Sequence, residues 1–244
     1  MSPARHAARH EAVARNLASV RERIAAACAE SGRSPDEVTL TVVTKFFPVS
    51  DVRLLAELGI RDVGENRHQE AEAKAAECAD LGLHWHFVGS LQSNKAAAVA
   101  RYADVVESVD RAKVLKGLSR GAHERDAHER DALLDVLVQV DLDPATGHAG
   151  RGGADPADVV RLADEIAGSD GLRLRGVMAV APLGQDPAPA FERLAGLAAE
   201  VRLLAPGATW ISAGMSADLE AAIKVGATHV RIGSAVLGHR PSLR

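Results

Sequence analysis

The chain has 244 residues, of which 47% are apolar and 25% charged, a balance typical of a globular domain and unlike that of a disordered tail. The net charge is −4 and no stretch gathers lysine and arginine on one face, so the sequence excludes nucleic acid as a partner. The longest charge-free stretch, residues 203–217, is too short and too interrupted by proline and glycine to span a membrane.

Length, cysteine content and the N-terminus predict the setting of the protein. The N-terminus lacks the apolar core of a secretory signal, so we expect a cytoplasmic protein. Cys28 and Cys78 are too few for a disulfide framework or a thiolate metal site, and we expect both to be reduced and structural. We predict one domain over residues 1–244 and a monomer.

The first elements along the chain are a long helix and a buried strand. Apolar residues recur at helical spacing over about residues 9–31, and Gly32 follows as a stop signal. Ser34 and Glu37 form a capping-box pattern that predicts one short turn. The β-branched segment TLTVVTK, residues 39–45, predicts the first strand.

After this strand, helices and strands alternate to the end of the chain. Further strands are predicted at 61–66, 84–89, 104–109, 133–142, 172–180, 209–214 and 228–238. Helices are predicted at 50–58, 67–80, after Ser93, from 111, and at 156–167, 189–204 and 216–225. Eight strand-helix units predict an α/β fold, a (β/α)8 TIM barrel with an extra N-terminal helix. A doubly wound sheet fits the same alternation, but the lack of GxGxxG after the first strand favours the barrel.

One segment lies outside this pattern. AHERDAHERD, residues 122–131, is a tandem duplication of five residues without an apolar face. It predicts a solvated loop or helix extension, and a His/Glu metal site is the alternative.

The C-terminal ends of the strands are where barrel enzymes place their chemistry, and Lys45 ends the first strand. Phe46 and Phe47 follow it. An ammonium group held among apolar side chains loses hydration, which favours the free amine and Schiff-base chemistry. The alternative is a lysine that extends along the strand end toward water.

The last two units predict a phosphate site. Ser216 is positioned to cap a helix that starts at Ala217, and Gly233 and Ser234 allow close backbone approach to an anion. Glycines at these positions could equally be ordinary turn residues.

These two features become neighbours in a closed barrel, since the eighth strand pairs with the first. A Schiff-base lysine beside a phosphate site indicates pyridoxal 5'-phosphate (PLP). Arg231 lies nearer the strand end than His229 and is the better candidate to reach the cofactor ring, where its fixed charge keeps the pyridine nitrogen unprotonated. Alternatively, Arg231 points inward and pairs with Glu65 or Glu107.

Six sequence blocks carry a resemblance to a known family. They are VVTKFFP around Lys45, GEN at 64–66, WHFVGSLQSNK at 85–95, LRLRGVMAV at 172–180, SAGMSADLEAAI at 212–223 and VRIGSAVLGHR at 230–240. In this order they resemble the pyridoxal phosphate homeostasis protein family. The resemblance implies a fold-type-III barrel similar to that of alanine racemase, with PLP held as an internal aldimine and no established turnover.

The resemblance also assigns roles to individual residues. It implies that Lys45 forms the aldimine and that Arg231 lies at the pyridine nitrogen. Further cofactor-binding residues, near the ring, at the phosphate or at the rim of its cup, are Asn66, Ser212, Gly214, Met215, Ser216, Gly233 and Ser234.

Departures from the family pattern occur at several positions. Phe46 and Phe47 stand where a polar or basic residue is usual, Arg67 stands in place of a tyrosine after GEN, and Ser90 replaces a proline. GHAGRGG, residues 147–153, replaces a lysine-glycine pair.

Two other functions compete with PLP binding by a carrier. His84 and His86 share one strand face and could hold zinc, although no further ligands follow. A PLP-dependent racemase or a Schiff-base lyase needs a second acid/base group, but Tyr102, the only tyrosine, is on a predicted helix. We therefore expect a non-enzymatic PLP-binding protein in PLP homeostasis, with PLP and apo PLP enzymes as its partners.

Overall fold

Eight parallel strands close into a barrel in which each strand pairs with the next and the last pairs with the first. The computed structural model describes residues 3–126, 133–143 and 152–239. The strands are β1 (Thr39–Val43), β2 (Asp62–Glu65), β3 (His84–Phe87), β4 (Val105–Val109), β5 (Leu134–Val140), β6 (Leu172–Ala179), β7 (Trp210–Ser212) and β8 (His229–Ile232). The predicted (β/α)8 barrel is confirmed.

Helices cover the outside of the barrel. They are α1 (Pro3–Glu30), α2 (Val49–Glu57), α3 (His68–Glu77), α4 (Ala96–Tyr102), α5 (Leu115–Asp126), α6 (Val159–Ala167), α7 (Ala188–Leu204), α8 (Leu219–Lys224) and α9 (Ser234–Leu237). Short 3-10 turns lie at Pro35–Glu37, Ala79–Leu81, Ala112–Val114 and Pro156–Asp158. The strands are buried on both faces as a result, and every residue of β4 and β5 is buried.

Closure of the barrel pairs the first strand, β1, with the last strand, β8. Thr41 of β1 lies opposite Arg231 of β8, and Val42 lies opposite Ile232. Residues that follow β1 and β8 therefore meet at the same edge of the barrel. This register is what places Lys45 beside the turn after β8.

The extra N-terminal helix packs against the last two helices, α8 and α9. Its apolar stripe, including Val13, Leu17 and Val20, is buried. The side-chain amide of Asn16 donates a hydrogen bond of 3.0 Å to the carbonyl of Val236 in α9. The predicted helix is confirmed, and it begins at Pro3 rather than near residue 9.

The segment after β8 differs from its prediction. A strand was expected over 228–238, but β8 ends at Ile232 and the short helix α9 follows Gly233. Val236 and Leu237 of this helix are fully buried, so the apolar run continues through both elements. A continuous apolar run does not distinguish a buried strand from a buried helical turn. β1 likewise ends at Val43, two residues earlier than expected.

The duplicated segment makes more contact with the barrel than predicted. Residues 122–126 are the last turn of α5, where Ala122 and Arg125 are buried. The Arg125 guanidinium donates to the Asp104 carboxylate at 3.0 Å and to the Ala103 carbonyl. The helix extension predicted as one alternative is therefore confirmed for this half, whereas the expectation that the segment is solvated is wrong there. Residues 127–131 lie outside the described residues, as does most of GHAGRGG.

Two predictions about the chain as a whole can be compared with the structure. Among residues 3–126, 133–143 and 152–239, no helix is both long and apolar enough to cross a bilayer. Cys28 and Cys78 are both buried free thiols, as predicted.

Candidate functional site

A cavity of about 390 Å³ opens at the C-terminal edge of the barrel, a size suited to a small ligand or cofactor. We call it the Lys45 cavity. Six of the nine predicted site residues line it: Lys45, Met215, Ser216, Arg231, Gly233 and Ser234. The other lining residues are Val43, Phe47, Val88, Ser90, Gln139, Met178, Val180, Ala217 and Gly238. One half-buried lysine, one buried arginine and three serine hydroxyls thus face a mostly apolar space.

Lys45 lies on a tight turn two residues beyond β1. The next residue, Phe46, has a φ of 71°, and it is the one non-glycine residue in the described ranges with a positive φ. Its backbone N–H donates to the Glu70 carboxylate at 2.7 Å. On the other side of Lys45, the Thr44 hydroxyl donates to Glu65 at 2.6 Å. The backbone of Phe46 and the side chain of Thr44 therefore anchor the chain on both sides of Lys45 to carboxylates.

A buried lysine joins these anchors. The Lys74 ammonium donates to the Thr44 carbonyl at 2.9 Å, to Glu65 at 2.6 Å and to Glu70 at 2.7 Å. Thr44, Glu65, Glu70 and Lys74 together form what we call the Lys74 cluster. Burial raises the pKa of Glu65, although the hydrogen bond from Lys74 opposes it. Glu70 and Lys74 have i,i+4 spacing on α3, but no pattern around Lys74 indicates that its side chain is buried.

Arg231 is buried and reaches the cavity from β8. One guanidinium nitrogen donates to the Ser212 hydroxyl at 2.5 Å, and another donates to the Ala179 carbonyl at 2.8 Å. The Glu107 carboxylate lies 3.6 Å from the guanidinium. The sequence left two alternatives for Arg231, a place at the ligand site or a pair with a buried carboxylate. Both apply, since Arg231 lines the cavity and also pairs with Glu107.

The carboxylate of Glu107 continues this network into the barrel interior. Glu107 accepts from Ser212 at 2.5 Å and contacts His86 Nδ1 at 2.7 Å. Burial opposes its charge, but His86, Arg231 and Ser212 outweigh burial and hold the pKa of Glu107 at about 2. We call Arg231, Ser212, Glu107 and His86 the Arg231 cluster.

The imidazole of His86 carries a positive charge in this network. Its Nε2 lies 3.2 Å from Asp62. Burial disfavours the charged ring, but the hydrogen bonds with Asp62 and Glu107 raise the pKa of His86 to about 9. His84, the other half of the HxH pair, has a side chain 65% exposed and lies 3.4 Å from Asp62. In the described ranges no group of three His, Cys, Asp or Glu side chains is arranged for a metal.

The turn after β7 differs from the predicted helix cap. α8 begins at Leu219, and the Asp218 carboxylate accepts from the Met215 N–H at 2.5 Å. The prediction that Ser216 caps a helix from Ala217 is wrong, because three turn residues, 216–218, precede the helix. The Ser216 hydroxyl instead accepts from the Ala235 N–H and from the Ser234 hydroxyl, both at 3.3 Å.

Three predicted residues lie outside the Lys45 cavity. Ser212 is fully buried beneath Arg231. Gly214 has a φ of 92°, and a Cβ there would lie 2.8 Å from that of Ala222, so this turn requires glycine. Asn66 lines a second cavity of about 360 Å³, which shares only Ser90 with the first among their described lining residues.

The barrel is similar to the N-terminal domain of alanine racemases. The model of the family "Alanine racemase, N-terminal domain" matches residues 10–241. The alanine racemase of Corynebacterium glutamicum is similar with a TM-score of 0.66 at 17% identity, covering 96% of this chain and 63% of that one. At this identity the likeness supports the fold alone. The class of protein is therefore an alanine-racemase-like barrel.

Curated relatives define the family within that class. A Mycobacterium bovis protein is 44% identical over 243 residues, covering 92% of this chain and 91% of its own. A Pseudomonas aeruginosa protein is 43% identical, covering 93% and 96%. Both are named pyridoxal phosphate homeostasis protein, and this chain belongs to that family. The resemblance drawn from the six sequence blocks is confirmed.

A solved structure gives a third comparison. PipY of Synechococcus elongatus PCC7942, solved with PLP bound, is 35% identical with a TM-score of 0.78 and covers 93% of this chain and 100% of that one. The curated relatives are named for homeostasis of a cofactor and not for a reaction. These names agree with the prediction of a binding protein rather than an enzyme.

Proposed function

We propose that the protein binds PLP in the Lys45 cavity, joined covalently to Lys45, and holds it for cellular supply without catalytic turnover. The observation that carries this proposal is one cavity in which the Lys45 amine, the Arg231 guanidinium and the Ser216 and Ser234 hydroxyls meet. The PLP-bound structure of PipY supports it.

The lining residues match the parts of the cofactor. PLP supplies a reactive aldehyde that condenses reversibly with primary amines. The amine of Lys45 would hold PLP by condensing with that aldehyde, with loss of one water. An incoming amine could replace Lys45 and carry PLP away bonded to itself, and water could release PLP as the free aldehyde. The hydroxyls of Ser216 and Ser234, beside the backbone of Gly233, suit the phosphate.

Two features of the cavity favour storage over reaction. Arg231 stays charged, so at the pyridine nitrogen it keeps that atom unprotonated and weakens the ring as an electron sink. Apart from Lys45 and Arg231, no described residue that lines the cavity is ionisable. Among the described residues, the cavity wall therefore offers no second acid or base to move a proton at a bound amino acid.

The proposal also covers the domain organisation of the protein, its oligomeric state, its location and the acceptors of PLP. We propose a single domain over residues 1–244 that acts as a monomer in the cytoplasm and passes PLP to apo PLP enzymes. The closed barrel formed by β1 to β8 supports one domain. The buried free thiols of Cys28 and Cys78 suit a reducing compartment.

The experiment that tests covalent binding is reduction of PLP-loaded protein with borohydride, followed by peptide mapping. We expect one pyridoxyl group, on Lys45, and no visible absorbance band in Lys45→Ala. Lys95→Ala, which removes a lysine beside the neighbouring cavity, is the matched control and should keep the band. Modification of Lys74, Lys95 or Lys224 in place of Lys45 contradicts the proposal.

A second measurement tests storage against catalysis. We expect deuterium exchange at the α-carbon of L-alanine to run no faster with PLP-loaded protein than with free PLP. Multiple enzyme-rate turnovers would instead identify a racemase or lyase.

A further inference from the structure

The second cavity lies between the turns that follow β2 and β3, and we call it the β2–β3 cavity. It measures about 360 Å³ and is lined by Asn66, Arg67, His68, Gln69, Phe87, Ser90, Leu91, Gln92 and Lys95. These residues come from the GENRHQ segment, residues 64–69, and the FVGSLQSNK segment, residues 87–95, which the proposed PLP site leaves mostly unused. Ser90 is in the wall of both cavities.

The charge of this cavity is positive. Arg67 and Lys95 line it, and none of its nine described lining residues is acidic. Neither cation has a carboxylate of the described residues within 4.0 Å. The Arg67 guanidinium instead lies over the Phe46 ring at 4.9 Å, which holds the group in place without neutralising it.

Two of the lining residues each carry a buried polar atom without a hydrogen-bond partner among the described residues, namely Asn66 Oδ1 and His68 Nδ1. The His68 side chain is only 10% exposed and stacks on Tyr102. A buried polar atom without a partner costs about 1–3 kcal/mol, so such atoms are uncommon unless a ligand or water completes them.

The backbone adds donors at the same place. Arg67 is the N-cap of the ten-residue helix α3, and its side chain makes no capping hydrogen bond. The first N–H groups of α3 therefore lack a side-chain acceptor at the wall where Arg67, His68 and Gln69 line the cavity.

From these observations we propose that the β2–β3 cavity is a second ligand site, which binds the carboxylate or phosphate group of a small metabolite. Arg67 and Lys95 pair with the anionic oxygens, and the amides of Asn66 and Gln92 fix the rest of the ligand. Because Ser90 lines both cavities, a ligand in the β2–β3 cavity lies beside the Lys45 cavity and not inside it.

Calorimetric titration of PLP-loaded protein tests this site, because bound PLP occupies the other anion site. Inorganic phosphate and succinate are the two probes, and succinate carries no amine that could react with PLP. We expect saturable binding of one equivalent of at least one probe. Binding of phosphate alone assigns phosphorylated ligands, and binding of succinate alone assigns carboxylates.

The double variant Arg67→Gln/Lys95→Gln should weaken that binding about tenfold to a hundredfold, since both charge-assisted contacts are lost. The control Lys116→Gln/Arg202→Gln removes the same charge from two exposed residues that line neither cavity, and should bind like the unaltered protein. No saturable binding at millimolar probe, or equal binding by the two double variants, overturns the proposal.

The Lys45→Ala protein separates this proposal from the PLP proposal. If the protein does not bind PLP at all, whichever probe binds the unaltered protein should still bind to Lys45→Ala, and this binding should still depend on Arg67 and Lys95. If PLP binds but neither probe does, only the second site is wrong.

Discussion

The Lys74 cluster and the Arg231 cluster support the same cavity from two sides by different means. No member of the Lys74 cluster lines the cavity, and its hydrogen bonds hold the main chain on each side of Lys45. In the Arg231 cluster, the arginine itself lines the cavity and the bonds go to its side chain. A functional residue on a turn needs its backbone fixed, whereas one on a paired strand needs its charge compensated.

The two clusters also differ in how they can respond to loss of a partner. Burial raises the pKa of Glu65, so this carboxyl can take up a proton when Lys74 is absent. Arg231 cannot lose its proton in any ordinary condition. We therefore expect damage to the Arg231 cluster to cost more.

The largest effect is expected from Glu107→Gln. This change leaves the buried Arg231 guanidinium without a countercharge and should lower the free energy of unfolding by about 3–5 kcal/mol, measured by urea denaturation. Glu220→Gln, which breaks a partly exposed pair with Arg23, is the control and should cost less than about 1 kcal/mol. Equal losses in both variants contradict the role given to Glu107.

Lys74→Met is expected to cost less, about 2–3 kcal/mol, because Glu65 can become neutral. It should also reduce the fraction of PLP that borohydride fixes on Lys45, since the turn loses its anchors at Thr44 and Glu70. Lys224→Met, at an exposed position of α8, should change neither quantity. An unchanged yield of fixed PLP in Lys74→Met limits the cluster to a stabilising role.

The Arg231 cluster also predicts a dependence of stability on pH. The folded pKa of His86 is about 9 and its ordinary value is 6.5, so its stabilising contribution is complete below pH 6.5 and is lost as the pH rises to about 9. The slope should reach about 1.4 kcal/mol per pH unit at most.

Urea denaturation from pH 6.5 to 9 measures this slope. His86→Gln should flatten it, and His84→Gln, at the exposed position of the pair, should not. A slope that survives in His86→Gln assigns the titration to another group. The pKa of Glu107, at about 2, adds a separate loss only in acid, between about pH 4.5 and 2.

Ser216→Ala should have the smallest effect. The Ser216 hydroxyl accepts two hydrogen bonds, so its own hydrogen is available to the phosphate. Its loss should weaken PLP affinity by about 1 kcal/mol and leave affinity for pyridoxal unchanged, as measured by equilibrium titration of both. If both affinities fall equally, Ser216 only supports the turn.

Much of the fold was predictable from the sequence, because each strand is a short apolar run between turn signals and the units repeat eight times. The boundary after β8 was not, because Ile232, Val236 and Leu237 are all buried and form one apolar run across Gly233. The contacts of Arg125 were also missed, since its partners at Ala103 and Asp104 lie over twenty residues earlier.

The lining of the Lys45 cavity was predictable where it follows from a residue's place at a strand end, as for Lys45, Arg231 and Ser234. Long-range contacts were not predictable in the same way. Lys74 is in an Ala/Glu-rich helix that has the composition of a solvent-exposed surface, and its burial depends on the carbonyl of Thr44, thirty residues away. Asn66 follows β2 as expected, but its side chain lines the neighbouring cavity.

Closure of the barrel determines when the Lys45 cavity is completed during synthesis of the chain. Lys45 is translated before Arg231 and Ser234, and Asn16 of α1 is translated before its hydrogen-bond partner Val236. Until β8 is synthesised, β1 has an unpaired edge and the Lys45 cavity lacks the wall formed by Arg231, Gly233 and Ser234. The complete Lys45 cavity therefore forms only after β8 has paired with β1.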